Sequence, residues 1–117
     1  MTDNDQVIKV VNEQLDAYNA RDLDRFLQCY VENVKVCAFP SGEELLEASG
    51  TNFKQRYKNL FEMSPNLNCQ LVSRCLHGNI VMDQEIVTGF NNSTETKNAL
   101  AIYEVKNDKI SRVWFVK

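Results

Sequence analysis

The chain has 117 residues, a formal net charge of −3, and hydrophobic and charged fractions of 44% and 25%. These values are typical of one globular domain, so we expect residues 1–117 to form a single domain with its own hydrophobic core. The 13 basic residues form no run and are outnumbered by 16 acidic residues, which argues against nucleic acid as a partner. No apolar stretch approaches the ~20 residues of a membrane-spanning helix, and the N-terminus is polar and acidic. We therefore predict a cytoplasmic protein with no membrane association.

The four cysteines and the single histidine do not form a metal-binding pattern. Cys29, Cys37, Cys69 and Cys75 include no pair with the Cys-x-x-Cys spacing of zinc or redox sites. We expect the cysteines to be reduced and mostly buried, and we predict neither a metal site nor a cofactor.

The first half of the chain shows helical periodicity. Apolar side chains recur at helical spacing through residues 7–18, and Asp22 is a suitable N-cap for a short second helix. A strand is predicted over 34–39, and a third helix is predicted from 50–51 to the residues before Pro65. Residues 43–49 allow no assignment.

The second half of the chain predicts a meander of strands. Four segments, 67–76, 79–88, 96–105 and 109–116, are separated by short stretches rich in Gly, Asn and Asp. Helices followed by strands indicate an α+β domain in which the helices pack on one face of an antiparallel sheet.

Four segments carry a resemblance to a known family. They are Tyr-Asn-Ala-Arg-Asp-Leu-Asp-Arg-Phe at 18–26, the strand start at 30–36, Gly-Thr-Asn-Phe at 50–53, and the closing strand at 109–115. In this order the chain resembles the nuclear transport factor 2-like superfamily, which includes SnoaL-like polyketide cyclases and ketosteroid isomerases. The resemblance implies a cone-shaped curved antiparallel sheet wrapped around N-terminal helices (a cystatin-like α+β roll), with a pocket at its open end.

Strand alternation then divides the predicted sheet into two faces. The division that keeps charges out of the cone puts uncharged residues on the pocket side. Together with helical residues, the expected pocket-lining set is Gln14, Tyr18, Cys37, Phe39, Phe53, Tyr57, Met82, Gln84, Ile86, Ala101, Tyr103 and Phe115.

The opposite sheet face is expected to form a homodimer, as members of the superfamily often do through this face. An exposed tryptophan among aliphatic residues favours such an interface over a solvated face with cross-strand ion pairs. The expected dimer-face residues are Val72, Arg74, Asp83, Glu85, Ile102, Glu104, Arg112 and Trp114.

The resemblance also identifies three catalytic positions, and at each of them this chain has a residue that differs from the catalytic one. In ketosteroid isomerases a carboxylate shuttles a proton while a tyrosine and a protonated aspartic acid stabilise the dienolate. The tyrosine falls at Gln14, the base at Cys37 or Ala38, and the aspartic acid at Ala101. We therefore do not expect that activity, and whether the protein is an enzyme stays open.

Three other groups could carry chemistry. His77 adjoins Gly78-Asn79 and is expected to be a surface turn residue. Asp83 and Glu85 share one face as paired carboxylates would, but the division above places that face outside the pocket, which favours ion pairing. Cys37 could be a nucleophile, although only Lys35 stands near it in sequence to lower its pKa.

The sequence thus predicts a domain that binds a small apolar or amphipathic ligand. One alternative is an isomerase, dehydratase or cyclase-like enzyme acting on a carbonyl compound with a non-standard set of polar groups. A tyrosine of depressed pKa would support that alternative. Another alternative is a protein-interaction module whose cone is filled by side chains.

Overall fold

A computed structural model describes residues 4–116 of the chain. Three helices and five strands follow one another, with short 3₁₀ turns at Leu46–Ala48 and Phe90–Asn92. Their bounds are α1 Asn4–Ala20, α2 Leu23–Gln28, β1 Tyr30–Phe39, α3 Thr51–Met63, β2 Asn68–His77, β3 Ile80–Thr88, β4 Lys97–Lys106 and β5 Lys109–Val116.

The helices form where the periodicity predicted them. One face of α1 is buried from Val7 to Ala17, and the Asp22 carboxylate accepts the N–H of Arg25 as the N-cap of α2. Helix α3 follows Gly50, which adopts a φ of +56° at its N-cap. None of the helices within 4–116 has both the length and the apolar character needed to cross a membrane.

The five strands form one curved, open sheet in the order β1-β5-β4-β3-β2. The pairs from β2 to β5 are antiparallel, as predicted, but β1 pairs with β5 in parallel. No hairpin sets the direction of β1 against β5, because the whole of the α3–β4 region separates them in sequence. The domain is therefore the predicted α+β roll with one parallel pair at its edge.

The register of β3 is opposite to the one we expected. Asp83 and Glu85 are only 0% and 6% exposed and point into the cone, whereas Met82 is 38% exposed on the outer face. Gln84 is also exposed, and Ile86 shares its face. Met82, Gln84 and Ile86 were therefore wrongly assigned to the pocket side, and Asp83 and Glu85 were wrongly assigned to the outer face.

In the second half of β2 the inner and outer residues are likewise exchanged relative to our expectation, and a β-bulge is the cause. The pairing shifts between Leu71 and Ser73, so that Val72 is an extra residue in β2. Cys69 lies inside before the bulge, and Arg74 lies inside after it, paired with Asp83. Strict alternation through β2 fails at this point.

An aromatic cluster fills the closed part of the cone. The ring of Phe26 in α2 is its centre, with centroid distances of 4.6–6.0 Å to its neighbours. The surrounding rings are Tyr18, Tyr30, Phe53, Tyr57 and Phe61. Because these rings fix α1, α2 and α3 against β1, they also fix the walls of the space that remains beneath the sheet.

Candidate functional site

A cavity of about 820 Å³ lies between the helices and the inner face of β3 and β4. Its volume is in the range of small-molecule sites, roughly 300–1,000 Å³. Much of its wall is apolar and comes from Leu15, Leu60, Val87, Ala99 and Phe115. The side chains therefore leave space beneath the sheet that a small molecule could enter.

The carboxyl group of Glu85 is the acidic group in the buried part of this cavity. Burial raises its pKa to about 7, and the neighbouring charge of Asp83 acts in the same direction. A hydrogen bond with the Cys69 thiol and the more distant charge of Arg74 oppose the rise. Glu85 is thus divided between its neutral and ionised forms near neutral pH, which suits a group that takes up and returns a proton.

Asp83 lies two residues from Glu85 on the same inner face but is fully occupied by an ion pair. Its two carboxylate oxygens accept from Nε and an Nη of Arg74 at 2.7 and 2.9 Å. The other Nη of Arg74 donates to Oδ1 of Asn12 in α1 at 2.6 Å. The bidentate pair fixes β2 against β3 and holds a negative charge beside Glu85.

Tyrosine hydroxyls surround Glu85 from three elements. Tyr18 of α1, Tyr57 of α3 and Tyr103 of β4 all line the cavity, and the charge of Glu85 raises the pKa of each of them. Burial is the larger cause of each rise, and for Tyr57 the resulting pKa is about 12. These hydroxyls stay protonated at neutral pH and can donate hydrogen bonds.

The tyrosine hydroxyls and one amide group remain free to bind a guest molecule. Within residues 4–116, no fully enclosed side-chain nitrogen or oxygen lacks a hydrogen-bond partner. The hydroxyls of Tyr18, Tyr57 and Tyr103 have no partner among those residues, so they must open onto the cavity. Gln14 accepts the Tyr30 hydroxyl at 3.0 Å through Oε1, which leaves its amide N–H groups available.

One stripe of α3 forms the mouth of the cavity. Asn52, Gln55, Arg56 and Asn59 succeed one another at helical spacing along the rim. Lys97 at the start of β4 lies on the rim as well, with its ammonium 4.1 Å from the ring centroid of Phe90. The mouth is therefore polar, whereas the wall behind it is mainly apolar.

Five of the twelve residues expected in the pocket line this cavity: Gln14, Tyr18, Tyr57, Tyr103 and Phe115. Phe53 and Ala101 are instead part of the packed core. Cys37 pairs with Trp114 on the outer side of β1, and Phe39 is 44% exposed at the strand end. Cys37 is therefore outside the site at which a nucleophile would act.

The expected dimer face is also rearranged. Ile102, Glu104, Arg112 and Trp114 lie on the outer face, where Ile102 pairs with Trp114 and Glu104 pairs with Arg112. Val72 is exposed at the bulge. Arg74, Asp83 and Glu85 point into the cone, so they were wrongly assigned to this face: Arg74 and Asp83 form the ion pair expected of a surface, but they form it inside.

Sequence reasoning missed Glu85 as a residue of the cavity, and it missed the α3 stripe at the mouth. The structure pairs Val81 of β3 with Tyr103 of β4, so Val81, Asp83 and Glu85 share the inner face with Tyr103. The hairpin at Gly78-Asn79 sets only the register of β2 against β3, where it pairs Cys75 with Met82, so it gave no signal of this arrangement.

Comparisons with known proteins agree with this architecture. A family model described as "SnoaL-like domain" matches residues 11–113. No functionally curated protein matches the chain by sequence.

Among solved structures, an uncharacterised cystatin-fold protein from Novosphingobium aromaticivorans is 22% identical, with a TM-score of 0.82 over 95% of this chain and 97% of that one. A protein from Kribbella flavida that is provisionally named a ketosteroid isomerase is 19% identical, with a TM-score of 0.75 over 99% and 80% of the two chains. A Bacillus cereus protein provisionally named a polyketide cyclase is 21% identical, with a TM-score of 0.74 over 94% and 72%.

At these identities the solved structures establish the fold alone, but the family model spans most of the chain. The cone, its helices and the matched residues together show that the chain belongs to the SnoaL-like domain family of the nuclear transport factor 2-like superfamily.

Proposed function

We propose that the protein is an enzyme that moves a proton next to the carbonyl group of a small amphipathic substrate. The observation that carries this proposal is the position of Glu85, a buried carboxyl with a pKa of about 7 inside a cavity that also presents unpartnered hydroxyls. Buried carboxyls that are not fully paired are expensive, and they concentrate at functional sites.

The proposed step uses Glu85 as the base. Its carboxylate removes a proton from the carbon adjacent to the carbonyl, and the electron pair of that C–H bond shifts to give an enolate. The carbonyl oxygen, which gains negative charge, accepts hydrogen bonds from the tyrosine hydroxyls or from the Gln14 amide. The protonated Glu85 then returns the proton to the same carbon or to another one, and the second outcome is an isomerisation.

The tyrosines act as donors in this scheme. A tyrosine that acts as a base needs a lowered pKa. Burial instead raises the pKa of Tyr18, Tyr57 and Tyr103. A protonated phenol inside a cavity is a suitable partner for a developing oxyanion. The role of base therefore falls to Glu85.

The test is proton exchange and isomerisation by simple ketones. Aryl alkyl ketones are incubated with the protein in deuterium oxide and followed by proton NMR, and a β,γ-unsaturated ketone is followed by the absorbance of its conjugated product. We expect catalysis that increases with pH through a midpoint near 7, as Glu85 ionises. Glu85→Gln should reduce the rate about 100-fold or more, whereas Glu32→Gln, at an exposed site on β1, should not.

A ligand-binding domain without catalysis is the second candidate, and it is favoured by the largely apolar wall of the cavity. It predicts that the same ketones bind, as seen in chemical-shift changes, but exchange no faster than in buffer. That combination of results would overturn the proposed proton transfer.

We also propose a homodimer formed through the outer sheet face. The observed register places an apolar row across the strands, because Cys75 pairs with Met82, Met82 with Ile102, Ile102 with Trp114, and Trp114 with Cys37. Turning Asp83 and Glu85 inward removes two charges from this face. Glu104 and Arg112 flank the row, with the Arg112 guanidinium over the Trp114 ring, and an apolar row edged by polar and charged residues is the usual make-up of an interface.

A further inference from the structure

We infer that the substrate carries a carboxylate, and that Arg56 and Lys97 bind it at the mouth of the cavity while its carbonyl group lies deeper. One part of this inference, the position of the carbonyl group deep in the cavity near Glu85, rests on the proposed function. The binding of the carboxylate itself rests on the geometry and charge of the mouth.

Arg56 and Lys97 belong to different elements, and both line the cavity. Arg56 extends from the α3 stripe, and Lys97 begins β4 on the far side of the 3₁₀ turn at Phe90–Asn92, which α3 contacts. Phe90 lies beneath the Lys97 ammonium and also lines the cavity, so the cation is held at the rim by its aromatic neighbour. The Arg56 charge also reaches inward, since it lowers the pKa of Tyr57 against the effect of burial.

Neither rim cation has a carboxylate partner among residues 4–116, although several other basic side chains of the fold do. Arg25 pairs with Glu13, Lys58 pairs with Glu62, and Arg74 is locked onto Asp83. The chain as a whole is acidic, with a net charge of −3. Two cations without a carboxylate partner therefore line a mostly apolar cavity in a protein that is acidic overall.

The chemistry of the rim favours one class of anion. The planar guanidinium of Arg56 matches a carboxylate in a two-bond geometry, and the Lys97 ammonium adds a point charge. Glu47 also lines the cavity, and its negative charge favours a singly charged group over a phosphate dianion.

Behind the rim the wall is apolar, and Glu85 lies in the buried part of the cavity. The substrate class is consequently an amphipathic keto acid: a carboxylate at one end, an apolar or aromatic middle, and a carbonyl group with an adjacent C–H.

The experiment uses one family of probes for binding and for proton transfer. Benzoylpropionate, benzoylbutyrate and their primary amides differ within each pair only in the terminal charge, and each has exchangeable hydrogens beside the ketone. Dissociation constants are measured by NMR titration at low and high salt for the wild type, Arg56→Gln, Lys97→Gln and Lys54→Gln. Lys54 is the matched control, an exposed cation on α3 that does not line the cavity.

We expect at least one acid to bind about tenfold more tightly than its amide at low salt, and less so at high salt. Arg56→Gln and Lys97→Gln should each weaken binding of the acid severalfold and leave the amide unchanged, and Lys54→Gln should change neither. The inference is overturned if no acid binds more tightly than its amide, or if the preference survives both rim substitutions.

Proton exchange measured on the same samples separates this inference from the proposed function. Glu85-dependent exchange that is equal for acid and amide would uphold the proton transfer and refute the carboxylate site. Acid binding that depends on Arg56, without exchange above the buffer rate, would uphold the carboxylate site and refute the proton transfer.

Discussion

Replacing Glu85 with glutamine should stabilise the protein at alkaline pH and leave its stability at acidic pH almost unchanged. Folding raises the pKa of this carboxyl from 4.5 to about 7. Between these two values the folded state binds a proton that the unfolded state has already released. The free energy of unfolding of the wild type therefore falls as pH rises through this window and levels off above it.

The size of the effect follows from the shift. Each pKa unit corresponds to about 1.4 kcal/mol, so ionising Glu85 in the folded protein costs about 3 kcal/mol. Glutamine is uncharged at every pH and has almost the same volume, so it avoids this cost. The loss of the hydrogen bond with Cys69 subtracts from the gain, which makes about 3 kcal/mol an upper value.

The assay is urea denaturation of the wild type, Glu85→Gln and the control Glu32→Gln at about pH 5 and about pH 8, which bracket most of the titration. Other ionisable groups titrate in all three proteins, so their contributions largely cancel in the differences. We expect Glu85→Gln to exceed the wild type by about 2–3 kcal/mol at the higher pH and by much less at the lower. The control should stay within about 0.5 kcal/mol of the wild type at both.

A Glu85→Gln variant whose advantage over the wild type is the same at both pH values would refute the reasoning, because the carboxyl would then have an ordinary pKa in the folded state. A variant that is more stable at alkaline pH but catalytically inactive would fit both the raised pKa and the proposed role. Such a combination is common at active sites, where function retains groups that stability alone would remove.

Three further predictions concern the surroundings of the site and the sheet. Arg74→Gln should raise the pKa of Glu85, because it removes a nearby positive charge, and Asp83→Asn should lower it, because it removes a nearby negative charge. Carbon-detected NMR titration of the Glu85 carboxyl measures both pKa values, and shifts in the same direction would contradict this account. Gly89→Ala should cost roughly 1–3 kcal/mol in urea denaturation, because the residue has a φ of +75° and an added Cβ would collide with the backbone of Asn66 between α3 and β2. An unchanged urea midpoint would refute the collision. Trp114→Glu should convert the proposed dimer into a monomer in sedimentation velocity, and a wild type that is already monomeric at micromolar concentration would contradict the proposed interface.

The elements of the fold could be predicted from the sequence because their signals are local. Apolar spacing located α1 and α3, the N-cap at Asp22 located α2, and short polar turns separated the strands of the meander. Residues 43–49 gave no signal, and the structure gives a reason: Ser49, through its hydroxyl and backbone contacts with Val36 and Leu45, fastens an irregular segment to β1. The conformation of such a segment is set by its hydrogen-bond partners, so its sequence shows neither helical nor strand periodicity.

The inner face of β3 could not be predicted by the rule that charges face outward. That rule assumes that burying Asp83 and Glu85 brings no compensation, and each is in fact compensated differently. The charge of Asp83 is balanced by the bidentate contact with Arg74, which the bulge at Val72 makes possible by turning Arg74 inward. The bulge cannot be read from the alternation that it interrupts.

Within residues 4–116 no cation forms an ion pair with Glu85, and the cost of burying this carboxyl is reduced because its raised pKa keeps it partly neutral. In the proposed reaction the proton transfer falls to Glu85, because Asp83 is held by Arg74 and does not line the cavity. The charge of Asp83 still raises the affinity of Glu85 for a proton. Two carboxylates two residues apart thereby take separate roles, one fixed and charged, the other exposed to the cavity and titrating near neutral pH. A one-residue shift in the register of β3 would place Asp83 and Glu85 on the outer face. There they would be solvated side chains with no cavity beside them, and the site would not form.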